Sequence, residues 1–330
     1  MRAPVTYRDV LDALPRVHAI LPPTLLNNWP GLSELAQCSL YLKHENHQPV
    51  GAFKVRGGIN LVATLTSEER AAGILGVSTG NHGQSLAFAA RHFAIKCVIV
   101  VPRENNPDKN RAIRELGAEV IEHGVDFDEA CEYIPRLQNE RGGRYVHSAN
   151  EPKLIAGVGT LTWEVFQKLS DPDFIIVPIG LGSGVCAACI VAKHLRPATK
   201  VIGVQAAHAS AVARSWKTGA WVTEPSVNTW AEGMATRAPA ELTLTIMREL
   251  MDDVILVSED EMKKAAGLIL RHTHNLAEGA GAAALAAVLK CRHRFQGSKV
   301  VAVLSGGNLD LAQIDMLLRC APINDSKLLR

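Results

Sequence analysis

Apolar, β-branched runs recur along the chain, each followed by a polar or glycine-bearing turn and then by a stretch with helical spacing. Cys97–Pro102, Phe174–Pro178, Lys200–Val204 and Lys299–Leu304 are four such runs. They are continuously apolar rather than alternating, which predicts strands buried on both faces, as in parallel sheets. Helices are predicted over about 84–92, 108–116, 157–169, 187–195 and 278–290. Strands alternating with helices predict an α/β fold with open, mostly parallel sheets flanked by helices. Ligands in such sheets gather beyond the carboxyl ends of strands, at helix N-termini.

Composition narrows the function classes. The chain has 330 residues, enough for two domains, with 47% hydrophobic and 21% charged residues. A formal net charge of +2 gives no electrostatic case for nucleic acid or an anionic membrane as partner. No apolar run approaches a membrane span, and Met1–Thr6 lacks a signal-peptide core. The seven cysteines are scattered, which fits reduced thiols in the cytoplasm. Cys186 and Cys189 have CxxC spacing but lack a second pair, so a zinc or redox role is not expected. His272 and His274 lie two apart and would not share a helix face.

Four segments carry candidate chemistry. Lys54 stands between Phe53 and a glycine-rich turn, Gly57-Gly58, where its amine could form an imine with a cofactor aldehyde. Ser78-Thr79-Gly80-Asn81-His82 is a polar loop opening a helix. Gly180-Leu181-Gly182-Ser183-Gly184 follows a strand and opens another helix, so its backbone N–H groups could cradle a phosphate. Ser305-Gly306-Gly307-Asn308 ends the last apolar run. A dinucleotide site would require an acidic residue about 20 positions after the glycine turn. The next strand ends instead in the neutral Gln205, so a single phosphate fits better.

With these segments in this order, the chain resembles the fold-type II pyridoxal phosphate enzymes, and within them the serine/threonine dehydratase and serine racemase group. The resemblance runs from about Thr24 to about Asp310. It implies a two-domain fold like that of the tryptophan synthase β-subunit. A large cofactor-binding domain would be formed by 1–66 and 152–330, and a small substrate-carboxylate-binding domain by 67–151. It also implies pyridoxal 5'-phosphate as cofactor, with Lys54 as the Schiff-base lysine, Phe53 beside it and Asn81 on the ring hydroxyl. Ser78, Thr79, Gly80, Asn81 and His82 would close on the substrate carboxylate. Gly180, Leu181, Gly182, Ser183 and Gly184 would hold the phosphate, and Ser305 would face the pyridine nitrogen. Gly233 of Ala231-Glu232-Gly233 would line the ring, and Glu278 would stand in a further acidic segment near the site.

The departures matter as well. Thr79 replaces the serine that racemase-like members use as an acid/base on the second face of the substrate, so racemisation is not expected. Gln205–Ala211 has no carboxylate where some members bind a divalent cation, so no metal is expected. His82 is read as a turn-holding residue, Arg56 as a core or interface ion-pairing residue outside the chemistry, and Trp230 as either core packing or a specificity element. The resemblance thus implies a dehydratase, or ammonia-lyase. It would convert a β-hydroxy-α-amino acid to a 2-oxo acid and ammonia, with Lys54 as the catalytic base. An amino-acid racemase and a β- or γ-replacement synthase are the alternatives. The expected partner is a small amino-acid substrate, and the expected assembly a homodimer or higher homo-oligomer.

Overall fold

The computed structural model describes residues 4–320. The chain forms two compact units, one within Met1–Pro22 and Lys54–Thr160, the other within Pro23–Phe53 and Leu161–Arg330. The first contains the whole of 67–151 and adds the helices Tyr7–His18 and Lys54–Ala63 and the start of the helix Pro152–Lys168. Among the described residues there are ten strands. They are β1 (Leu26–Asn28), β2 (Ser39–His44), β3 (Ile74–Val77), β4 (Cys97–Val101), β5 (Glu119–Glu122), β6 (Arg144–Tyr145), β7 (Phe174–Pro178), β8 (Lys200–Ala206), β9 (Asp253–Val257) and β10 (Lys299–Leu304).

The first unit is built on a four-stranded sheet of order β5-β4-β3-β6, all parallel. Every residue of β3 is buried, as its unbroken apolar sequence requires. The helix Asn81–His92 leaves the end of β3 and packs on the helix Lys54–Ala63. Gly57 and Gly58, expected in a turn after Lys54, lie inside that helix instead and are buried. The physical reason is close packing. A Cβ on Gly58 would meet the Ser85 side chain, and one on Gly57 would come within 2.9 Å of the Leu154 carbonyl. The helical cost of two glycines is offset by the approach they allow.

The second unit is built on a six-stranded sheet of order β1-β2-β10-β7-β8-β9. All its pairings are parallel except the edge pair β1–β2. Five of the six residues of β10 are buried. Each such Val or Leu removed from water contributes roughly 1.5–3 kcal/mol. The helix Gly279–Lys290 is buried from Gly279 through Val288, and its alanines and glycines let it lie close to the sheet. The helix Ser183–Leu195 is also buried from Ser183 through Ala192 and, past Ser183, apolar along that stretch.

The predicted strands fall where expected. Helix starts move toward the N-terminus: Asn81 rather than 84, Pro152 rather than 157, and Ser183 rather than 187. The shift has chemical content. It makes the loop residues the first turns of their helices, where backbone N–H groups have no intrahelical acceptor.

Candidate active site

In the first unit, Lys54 is the first residue of its helix, and the Ser85 hydroxyl donates to its carbonyl at 2.6 Å. The amine Nζ donates to the Ser148 carbonyl at 3.3 Å. Burial lowers the pKa of this amine to about 8. Two imidazoles share the neighbourhood. His82 is buried, with Nε2 3.2 Å from the Val146 carbonyl. That acceptor places the ring proton on Nε2 and leaves Nδ1 as a buried acceptor without a partner among the described residues. Burial first, and Lys54 second, push its pKa down to about 3, so the ring is neutral. His147 accepts at Nδ1 from the backbone N–H groups of Ala149 and Asn150, both at 3.0 Å. Its pKa is also lowered by burial and then by Lys54.

The loop Ser78–His82 runs from the end of β3 into the helix Asn81–His92. The Ser78 hydroxyl accepts from the Gly80 N–H at 3.0 Å, which folds the turn. Lys109 crosses the loop, with its Cδ 3.1 Å from where a Cβ on Gly80 would stand. A side chain at position 80 would displace that stem. Thr79 is half-buried, and its hydroxyl makes no hydrogen bond among the described residues. Asn81 opens the helix. The loop thus presents the positive end of a helix, which suits a carboxylate.

In the second unit, Gly180 and Leu181 follow β7, Gly182 is left-handed at φ 100° as the N-cap, and Ser183 and Gly184 begin the helix. A Cβ on Gly180 would collide with the Gly233 carbonyl. The carbonyls of the turn are tied back: Thr243 Oγ1 donates to Leu181 at 2.5 Å and Thr236 Oγ1 to Gly180 at 3.4 Å. The Phe53 ring lies 3.5 Å from where a Cβ on Gly184 would be. The Phe53 N–H donates to the Ser305 carbonyl at 3.0 Å. Ser305 is buried and its hydroxyl makes no hydrogen bond among the described residues. Glu278 is buried at the start of the helix Gly279–Lys290, with its carboxylate against the Cα of Gly306.

The structure therefore gathers Phe53, Gly180–Gly184, Gly233, Glu278 and Ser305 in one unit, and Lys54 and Ser78–His82 in the other. Trp230 packs against the apolar core of its unit, although its buried Nε1 has no partner among the described residues. Arg56 is fully buried, and its Nη1 donates to Thr160 Oγ1 at 3.1 Å. Cys186 and Cys189 are buried free thiols within a helix. Gln205 Oε1 accepts from the Ala213 N–H at 2.8 Å. Among the described residues, no group of three or more His, Cys, Asp and Glu is placed to hold a metal ion. Sequence reasoning missed Ser85, His147, Ser148 and Thr243. The Val146-His147-Ser148 run after a two-residue strand gave no pattern that could have singled it out.

The chain matches the family model described as pyridoxal-phosphate dependent enzyme over residues 19–306. It is 37% identical to an L-threonine ammonia-lyase of Thermotoga maritima, covering 95% of this chain and 78% of that one. It is 33% identical to a catabolic L-threonine dehydratase of Escherichia coli, covering 95% and 96%. Among solved structures, the processed form of threonine deaminase isoform 2 from Solanum lycopersicum superposes with a TM-score of 0.90 at 29% identity, covering 95% and 87%. Maize serine racemase gives 0.90 at 28%, covering 96% and 97%.

Proposed function

This chain belongs to the pyridoxal-phosphate dependent enzyme family, and within it we propose that it is an ammonia-lyase acting on L-threonine. It converts a β-hydroxy-α-amino acid to a 2-oxo acid and ammonia by α,β-elimination. The observation that carries the reading is the Lys54 amine, brought by burial to about 8, in a chain whose relatives are named for this reaction. A base for an α-proton must be available unprotonated near neutral pH, and a lysine at its ordinary 10.5 is not.

The residues present fit the cofactor. The turn at Gly180 has no room for a Cβ beside the Gly233 carbonyl, and it opens a helix whose first N–H groups have no intrahelical acceptor, the requirements of a phosphate cradle. Ser305, a buried residue, offers a neutral hydroxyl suited to a ring nitrogen. When bound, pyridoxal phosphate supplies an electron sink joined to the substrate amine, which acidifies the α-proton.

The chain's own residues do the rest. Lys54 would carry the cofactor, and its Nζ would take the α-proton of the substrate. Neutral His82 and His147 add no charge that would have to be balanced there. The backbone N–H groups of Thr79–His82 orient the substrate carboxylate, and Asn81 orients the ring hydroxyl. Phe53 and Gly233 would line the ring, and Glu278 lies beside Gly306, next to Ser305. Ser305 would face the ring nitrogen as a neutral partner, which would suit elimination better than amino transfer.

The domain assignment stays part of the same proposal, with 67–151 handling the carboxylate and the remainder the cofactor. So does a cytoplasmic homo-oligomer. Six described cysteines are free thiols, and no helix among the described residues is long and apolar enough to cross a membrane.

The test is a panel of L-threonine, L-serine and 3-hydroxyaspartate assayed for 2-oxo acid, with borohydride reduction and peptide mapping. L-Threonine turnover with the label on Lys54 is expected. A D-amino acid formed faster than 2-oxo acid would replace the lyase reading with the racemase one.

A further inference from the structure

The helix Glu259–Thr273 opens with three acids. Glu261 closes a capping box, accepting the Ser258 N–H at 2.7 Å while its own N–H donates to Ser258 Oγ at 3.2 Å. Asp260 is exposed. Glu259 turns away from its helix. Its Oε2 accepts the Trp230 N–H at 3.0 Å and the Thr229 hydroxyl at 3.1 Å. Thr229 Oγ1 in turn accepts the Ala231 N–H at 3.1 Å. One carboxylate oxygen therefore fixes three consecutive residues of a segment that has no regular secondary structure there.

That segment bears directly on the glycine turn. Ala231 lies so close to the helix Gly279–Lys290 that a Cβ on Gly279 would come within 2.7 Å of its Cα. The Met234 N–H donates to the Ala231 carbonyl at 2.7 Å, closing a tight turn through Gly233. The Gly233 carbonyl then abuts Gly180, and Thr236 reaches the Gly180 carbonyl. These contacts form a continuous chain from Thr229–Ala231 to Gly180.

A helix-opening acid is ordinarily a matter of stability. Here the second oxygen, Oε1, is buried with no partner among the described residues. An unsatisfied buried carboxylate oxygen costs stability, so stability alone is a poor account of Glu259. We propose that Glu259 is a positioning residue for the phosphate-binding turn, acting on Gly180 through Thr229–Ala231 and Gly233. The proposal rests on the reading of Gly180–Gly184 as the phosphate site.

The experiment measures equilibrium binding of pyridoxal phosphate and of phosphate-free pyridoxal to the cofactor-stripped protein, alongside its melting temperature. Glu259→Ala is expected to weaken pyridoxal phosphate binding by about tenfold to a hundredfold, the effect of leaving two donors unsatisfied. Pyridoxal binding should change by less than about threefold on the same scale. Glu259→Gln keeps an oxygen that can accept both hydrogen bonds and should recover most of the loss. Should Glu259→Ala not fold, Thr229→Val carries the same test, with a smaller loss confined to the phosphate form. Equal losses for both ligands, no loss, or failure of glutamine to rescue would each overturn the positioning role. A wild-type protein that binds both ligands equally would instead defeat the phosphate reading itself, so the two failures are distinguishable.

Discussion

In the unit that holds Lys54, three of the groups that matter are ionisable, and burial acts on each of them. In the unit that holds Gly180, they are mostly backbone N–H groups and neutral side chains whose positions are set by close contact. Lys54, His82 and His147 all have pKa values moved toward the neutral form by lost hydration. Around Gly180, Gly182, Gly233 and Ser305 the structure is one of tolerances: missing Cβ atoms, tied-back carbonyls and a left-handed cap. Proton transfer needs tuned protonation states, whereas holding a ligand needs shape and dipoles that do not change with pH. The two kinds of substitution should accordingly fail in different ways.

The sharpest break comes from Lys54→Ala. Removing the proposed attachment point and base together should lower turnover by about a thousandfold or more. Phosphate-dependent cofactor binding should persist, because the glycine turn is untouched. Single-turnover kinetics and a binding titration check the two halves of that statement. Full turnover in this variant would falsify the assignment.

Gly180→Ala should show the opposite pattern. The new Cβ meets the Gly233 carbonyl, a backbone atom that cannot rotate away. Overpacking of this kind costs roughly 1–3 kcal/mol, which as lost binding is about tenfold to a hundredfold. Turnover of the fraction that retains cofactor should stay close to wild type. Ser305→Asp probes the neutrality of the same unit, since it puts a second carboxylate near buried Glu278. Elimination should slow by about tenfold, with more amino-transfer side product. An unchanged product ratio would remove Ser305 from the site.

These contrasts also explain what the sequence made legible. The apolar runs announced the parallel strands because a strand buried on both faces has no alternative composition. The glycine turn and the Ser78–His82 loop were readable because their residue types are forced by backbone geometry. The Gly57-Gly58 pair was misread as a turn because a glycine used for close helix packing has the same letter as one used for a bend. Only the positions of Ser85 and Leu154 distinguish the two uses, and those are tertiary facts. His147 and Ser148 were invisible for a related reason. Their relation to Lys54 arises from folding across more than 90 residues, with no local pattern. The Glu259 contacts to Thr229 and Trp230 were hidden among three acids that look alike on paper.

A smaller effect separates the units by pH. Between about pH 8 and 10.5 the unfolded chain carries a proton on Lys54 that the folded, cofactor-free chain does not. Stability therefore rises with pH across that window. His82 acts at the acid end. Below pH 6.5 the unfolded imidazole takes a proton that the folded ring refuses down to about 3, so stability falls as pH falls. Each contribution is on the order of 1–3 kcal/mol after allowing for relaxation. Melting curves of the cofactor-free protein should show both slopes. Lys54→Met should flatten the alkaline one and raise stability at pH 7. A flat wild-type profile at both ends would mean that burial does not govern this unit.

The smallest expected change is at Thr79, and it decides the direction of the chemistry. Elimination needs a base on one face of the substrate, the role proposed for Lys54. Racemisation needs a second proton donor on the opposite face, and Thr79 is the hydroxyl available in the loop. Its hydroxyl has no hydrogen bond among the described residues to orient it, and its β-branching restricts χ1. An unoriented donor contributes little, because general acid catalysis depends on holding the proton within hydrogen-bond reach. Thr79→Ala should therefore keep its elimination rate within about threefold, far less than the loss of a true acid or base would cause. The carboxylate should still be held, since the loop's backbone N–H groups remain. Chiral chromatography of an L-serine or L-threonine reaction should show 2-oxo acid with little D-enantiomer in both proteins. A hundredfold fall in elimination would make Thr79 a participant in the lyase step. Loss of an abundant D-product would make it the second-face acid.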